Sequence, residues 1–335
     1  MPITVVGSIA YDTVSTPFGE RHRMLGGAAV HFALAASFFE EVRMVGPVGD
    51  DFGEHELDVM RHRGVDIADV ERVPGGKTFF WRGKYGWDLN SRETLDTQLG
   101  VFEGFAPKLS SESCASDVLF LANIQPDLQR EVRAQLPDAS FVALDSMNLW
   151  IDIARDSLVA AIESVDCVIL NDAELRQLTG KPNLLSAARE VLSWSSSPPS
   201  SGKSTPSDGA PAPGSARGPS VIVAQQGEYG AALITRKHFF SLPAYPLESI
   251  VDPTGAGDTF AGGFVGYIAS HLDDDRAAGE GQDGLSDELL RAAMAHGTAL
   301  ASFNVEEFGT ERVVRLTDAE IATRVQSLRE ITRFI

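Results

Sequence analysis

The run Asp252-Pro-Thr-Gly-Ala-Gly-Asp258-Thr-Phe-Ala-Gly-Gly-Phe264 brings together the residue types of a phosphoryl-transfer site. A turn leads into Gly255 and Gly257, then a carboxylate, then an apolar small-residue stretch that reads as a helix. Gly255, Ala256 and Gly257 carry little or no side chain, so a ligand can approach their backbone N–H groups closely. With a helix starting at Asp258, those donors and the positive end of the helix dipole form an anion site. A carboxylate in that turn would repel a resting phosphate. It suits a place where a hydroxyl must lose a proton while attacking a phosphoryl group. The plainer reading is a glycine-rich turn with Asp258 as a simple N-cap.

Further polar residues stand just after strand-like runs. Asp12 lies five residues beyond the opening strand-like run Ile3–Gly7, and a carboxylate there can accept from two hydroxyls of a sugar or act as a turn residue. The pair Gly26 and Gly27 opens a helical stretch that carries His31, which reads either as a pocket residue or as a satisfied helix-face histidine. Asn123, Asp145 and Asn148 close two strands and read equally well as pocket residues or as caps and turns. Asn171 and Glu174 sit three apart at a helix start. That spacing fits a hydrated Mg²⁺, which needs few protein ligands, and it fits a capping box just as well. Gln226, Gly227 and Gly230 form a turn between two strands.

These residues need a scaffold that gathers strand ends. Ile3–Val6, Val42–Val45, Val118–Ala122, Phe141–Asp145, Cys167–Leu170 and Val221–Gln225 read as strands buried on both faces. Helical patterns at 28–39, 52–63, 125–135, 157–164, 174–178 and 184–194 alternate with them. The rhythm predicts an α/β fold with an open, mostly parallel sheet flanked by helices, whose ligands collect beyond the carboxyl ends of the strands. A single domain spanning 1–335 is expected, with two interruptions. Residues 77–105 read as an aromatic hairpin, a small β lid over a site or a pairing edge for a second subunit. Residues 193–220 are rich in Ser, Pro and Gly and predict a disordered insertion. The Ser201–Thr205 run inside it imitates a phosphate loop but has Ser197 where the first glycine belongs. An acidic, glycine-rich loop is expected over 273–287.

The chain has 335 residues, a net charge of −19 and two cysteines, Cys114 and Cys167. Such acidity argues against a nucleic-acid partner, and the cysteine count fits a reducing compartment. No spanning apolar run or leader pattern is visible, so a cytoplasmic protein with no membrane partner is expected.

The 252–260 run resembles the C-terminal signature of the ribokinase-like, or PfkB-type, carbohydrate kinases. The strand-then-Asp12 pattern, Gly26-Gly27, the Val45–Gly53 glycine turn, Asn171-x-x-Glu174 and the Gly227–Gly230 turn follow in the family's order. The resemblance implies an ATP-dependent kinase for a primary alcohol of a sugar, with Asp258 as base and Gly255, Ala256 and Gly257 as anion donors. It implies acceptor binding by Asp12, Gly26, Gly27, His31 and Asn123, where His31 replaces the family's usual Asn. It implies nucleotide contacts from Asn171, Glu174, Gln226, Gly227, Gly230 and Ser302, with Mg²⁺ held through water at Asn171 and Glu174. A monovalent cation such as K⁺ would sit at Asp252 and Thr254, and a homodimer would form through the lid. Phe79, Phe80, Trp81, Tyr85 and Trp87 suit a nucleobase, so a nucleoside kinase is the alternative. Alternate side chains of a strand face opposite ways, so only about half of these can point inward. A non-catalytic sugar- or nucleotide-sensing module is the rival from another class. A dinucleotide-binding dehydrogenase is excluded, since no Gly-x-Gly-x-x-Gly follows the first strand.

Overall fold

Apolar residues on the central strands alternate between two cores, and this alternation explains the architecture. The computed structural model describes residues 1–194, 218–278 and 284–333. The expected insertion at 193–220, with its Ser201–Thr205 run, therefore falls mostly outside the described residues. The centre of the expected acidic loop, 279–283, falls outside them too.

Thirteen strands, β1–β13 in chain order, make two sheets among the described residues. The larger runs β13 (Phe239–Leu242), β12 (Ala231–Thr235), β11 (Val221–Gln225), β10 (Cys167–Asn171), β9 (Phe141–Asp145), β8 (Val118–Leu121), β1 (Ile3–Val6), β4 (Val42–Gly49) and β5 (Val70–Val73). Pairing is parallel from β11 to β5, while β11–β12 and β12–β13 are antiparallel. Val5, Phe120, Ala143, Ile169 and Val223 face the core shared with the helices Ala28–Ala36, Ala256–Ala277 and Asp287–Asn304. Their neighbours Val6, Leu121, Leu144, Leu170 and Ile222 face the opposite core, filled by Val132, Leu158, Leu175 and Val191. Burial at about 25 cal/mol per Å² of apolar surface on both faces makes this body the main stabilising unit. No helix among the described residues is long and apolar enough to cross a membrane.

The smaller sheet runs β3 (Gly19–Gly26), β2 (Ala10–Thr16), β6 (Phe79–Tyr85) and β7 (Arg92–Gln98). The lid is thus not one hairpin. Half of it comes from residues 10–26, because β2 pairs in parallel with β6, with Asp12 opposite Trp81. Asp12 therefore lies within a strand rather than in a turn.

Three other expectations change. The Val45–Gly53 turn begins only at Asp50, since Gly46–Gly49 continue β4 and pair with Val70–Val73. The 256–277 helix runs through the start of the expected acidic loop, where Asp273, Asp274 and Asp275 are helical. A C-terminal helix, Asp318–Ile331, had gone unread. Its capping box, Thr317 with Glu320, is a Thr-x-x-Glu signal that was available in the sequence.

Candidate active site

The 256–277 helix starts at Ala256, two residues before the expected start, so Asp258 lies in its first turn. Gly255 is its N-cap, with φ 73° and no side-chain cap. A Cβ there would stand 2.3 Å from the His31 ring, so only glycine fits both the backbone and the space. The Ala256 N–H is given to the Pro253 carbonyl at 3.2 Å, which removes one of the three expected anion donors. Gln225, at the end of β11, holds the turn by donating Nε2 to the Gly257 carbonyl at 3.0 Å.

Asp252 anchors the approach to this helix. Its Oδ1 accepts from Thr254 N at 2.9 Å and its Oδ2 from Gly309 N at 2.9 Å. Asn304 donates Nδ2 to the Thr254 carbonyl at 2.8 Å and accepts from the Thr259 hydroxyl at 3.1 Å. The loop before the helix is therefore tied to the 304–309 segment by side chains.

Acidic groups converge on the same place. Burial raises Asp258 to about 6, with Arg92 opposing the rise. Asp12 stands at about 7, through burial first and then through the charges of Asp252 and Asp258. A Cβ on Gly26 would lie 2.1 Å from Asp12 Oδ2, so this glycine makes room for the carboxylate. Asp145, at the end of β9, is raised well above the carboxylate range by burial and by Asp258 and Glu174. Burial raises Glu174 to about 7. The site thus gathers carboxylates from lid strand β2, from β9 and from two helix starts, Asp12 buried and the others half-buried, the arrangement expected where pKa values are tuned for proton transfer.

Asn171 and Glu174 form the capping box. Asn171 Oδ1 accepts from Glu174 N at 2.8 Å, and Glu174 Oε2 accepts from Asn171 N at 2.9 Å. His31 is 2% exposed, and burial holds its imidazole neutral, down at about 4, against a smaller opposing effect of Asn304. It lies beneath Gly255. Gly27 caps the 28–36 helix with φ 100°, but Ser8 fills that N-terminus: its hydroxyl accepts from Ala28 N and its carbonyl from Ala29 N.

Other expected site residues are already engaged. Asn123 Oδ1 accepts from Trp150 Nε1 at 3.0 Å, so it braces a neighbouring helix. The Ser302 hydroxyl donates to the Ala299 carbonyl and accepts from Arg324 Nη1 at 2.9 Å. Gln226 and Gly230 close their turn through Gln226 N to Gly230 O at 2.8 Å, and Gly227 takes φ 56°. Beside them Glu228 accepts from Asn90 Nδ2 of the lid tip at 3.0 Å, so lid and turn touch.

The lid aromatics divide by strand alternation. Trp81 and Tyr85 share the face of Asp12, whereas Phe80 lies on the other face and Trp87, 87% exposed, sits in the turn. The Tyr85 hydroxyl accepts from Thr254 Oγ1 at 3.3 Å. Directly across from Tyr85 stands Arg92, which sequence reading had passed over. Its signal was positional: it is the cation that opens the return strand, one polar turn after the aromatic run.

Comparison with known proteins agrees with this geometry. The model of the pfkB family carbohydrate kinases matches residues 108–315. Over 274 residues the chain is 28% identical to the cytidine kinase of Thermococcus kodakarensis, covering 80% of this chain and 88% of that one. The nucleoside kinase of Burkholderia thailandensis, in a complex described as ADP-inosine, superposes with a TM-score of 0.73 at 19% identity, covering 97% of this chain and 95% of that one. A ribokinase II from E. coli with ATP and Mg²⁺ does so with a TM-score of 0.72 at 17% identity, covering 97% and 99%. The two structures establish the fold.

Proposed function

The chain belongs to the pfkB family of carbohydrate kinases, and from that footing we propose that phosphoryl transfer occurs at the start of the 256–277 helix. The acceptor is a primary alcohol on a sugar or a sugar-bearing molecule. Asp258 takes the hydroxyl proton as the oxygen attacks the γ-phosphorus of ATP. The new O–P bond forms as the bond to the β-phosphate oxygen breaks, and ADP leaves with that electron pair. The observation that carries this reading is Asp258 itself, half-buried in the first turn behind a glycine N-cap that no side chain fills. Charge developing on the phosphoryl group meets the helix start, the electrostatic contribution that dominates such transfers.

Asp12 and the space beside Gly26 receive the sugar hydroxyls. His31 supports the Gly255 turn from below as a neutral ring. Glu174 Oε1 is left over by the capping box, which suits a hydrated Mg²⁺ held through water, with Asn171 fixing the carboxylate. Mg²⁺ there would neutralise phosphate charge. Asp252 Oδ1, Asp252 Oδ2 and the Thr254 carbonyl each accept one hydrogen bond, from Thr254 N, Gly309 N and Asn304 Nδ2, and a monovalent cation there would share these oxygens. We assign them to shaping the loop. A cytoplasmic kinase of one domain, pairing through its lid edge, accords with this reading.

Replacing Asp258 by Asn is expected to lower kcat by about 10²–10⁴-fold with ATP binding retained. Near-normal turnover would remove the base.

A nucleoside acceptor is the second reading. It is favoured by the register that sets Trp81 beside Asp12, and by the likeness to a cytidine kinase. An ADP-release panel of pentoses, hexoses and nucleosides separates the two. Turnover confined to free sugars would discard the nucleoside.

A further inference from the structure

The body and lid strand β2 supply acids, and lid strand β7 supplies a cation, Arg92. Arg92 opens β7, directly across from Tyr85, whose hydroxyl touches Thr254 just before the Gly255 N-cap. Cross-strand partners share a face, so Arg92 projects from the side of the lid that meets the helix start. Its guanidinium lies 5.3 Å from the Trp81 ring centroid. That ring is itself fixed. It lies over Gly83, where a Cβ would come within 2.1 Å of it, and it donates Nε1 to Thr94 Oγ1 at 3.3 Å.

Arg82, on the outer face, pairs with Glu20, whereas Arg92 has no ion pair with any carboxylate among the described residues. Its charge nevertheless acts on Asp12, Glu174 and Asp258 together. A guanidinium that lies beside Tyr85 and pairs with no carboxylate among the described residues keeps donors for an anion that enters at the helix start.

We propose that Arg92 is a further catalytic residue, which brings a guanidinium from the lid onto the γ-phosphoryl group of ATP beside Asp258. The inference rests on the reading that transfer takes place at this helix start. In the reaction the acceptor oxygen gives its proton to Asp258, bonds to the γ-phosphorus and displaces ADP. Arg92 changes no bond. It offsets the repulsion that Asp12, Glu174 and Asp258 would exert on the phosphoryl group. Trp81 is a positioning residue, because it holds the guanidinium from behind.

The test compares ATP with ADP, which differ in the group Arg92 is said to touch. Calorimetric titration of the full chain with each nucleotide and Mg²⁺ should show Arg92→Gln weakening ATP about tenfold or more and ADP less than about twofold. Arg92→Lys should recover part of the ATP affinity. With D-ribose and cytidine as acceptors, kcat for Arg92→Gln should fall about 10²-fold while the acceptor KM holds. Equal losses for ATP and ADP, or none for ATP, would overturn the proposal whichever acceptor turns over. Asp258→Asn in the same titration separates the two claims. A fully active Asp258→Asn beside an Arg92→Gln that no longer distinguishes ATP from ADP would remove the base and keep the arginine.

Discussion

Two helices begin at the same edge of the large sheet and treat their first turns in opposite ways. The Asp172–Thr179 helix closes itself, with Asn171 and Glu174 satisfying each other's backbone donors in both directions. The Ala256–Ala277 helix starts at a left-handed glycine with no side-chain cap at all. Unmet donors at a helix start cost stability unless water or a ligand takes them. The difference therefore separates a terminus built for the fold from one left for chemistry.

The largest expected effect tests the open terminus. Gly255→Ala must put a Cβ 2.3 Å from His31 on a backbone at φ 73°. Turnover should fall by about 10²-fold, and thermal denaturation should show a loss of about 1–3 kcal/mol. Unchanged kinetics would erase the contrast between the two starts.

Next comes pH. Asp258 stands at about 6 and must be ionised to act, so kcat should rise as pH passes upward through about 6. The stability sign is opposite. Asp12 and Glu174 stand at about 7 in the fold, against ordinary values of 3.8 and 4.5, so the folded chain keeps protons that the unfolded chain releases. Stability should therefore fall from about pH 4 to about pH 7 through these groups. Asp258→Asn should melt about 1–3 °C above the parent at pH 8 and lose that advantage near pH 4. A variant less stable than the parent at pH 8 would show that the carboxylate is held by favourable contacts instead.

The smallest effect tests the closed terminus. Asn171→Ala should cost about 1 kcal/mol through the lost cap. A fall in kcat far beyond what the lost stability explains would mean that the box also serves the reaction directly.

Much of this was legible in the sequence. Local patterns gave the parallel strands, the helices between them and Asp258, because each depends on neighbours within about one turn or strand. Asp12 stood out as a carboxylate after a strand, but its own strand did not, since β2 pairs with β6 across a separation that no local pattern encodes. Asn171 and Glu174 were read both as a box and as a metal site, and the box is present in the structure. Asn123 and Ser302 looked free because a sequence does not show Trp150 or Arg324 arriving from elsewhere. Arg92 looked like an ordinary charge on an exposed strand. The acids on which its charge acts, Asp12, Glu174 and Asp258, belong to three distant segments.

The stitching of Asp252 and Thr254 to Gly309 and Asn304 has a consequence for synthesis on the ribosome. The reactive loop precedes its own fasteners by about fifty positions in the chain. A nascent polypeptide that has just exposed Asp258 still lacks what fixes it, so a fragment ending before residue 304 should be unable to consume nucleotide. Catalytic competence would then wait until the 304–309 segment has emerged.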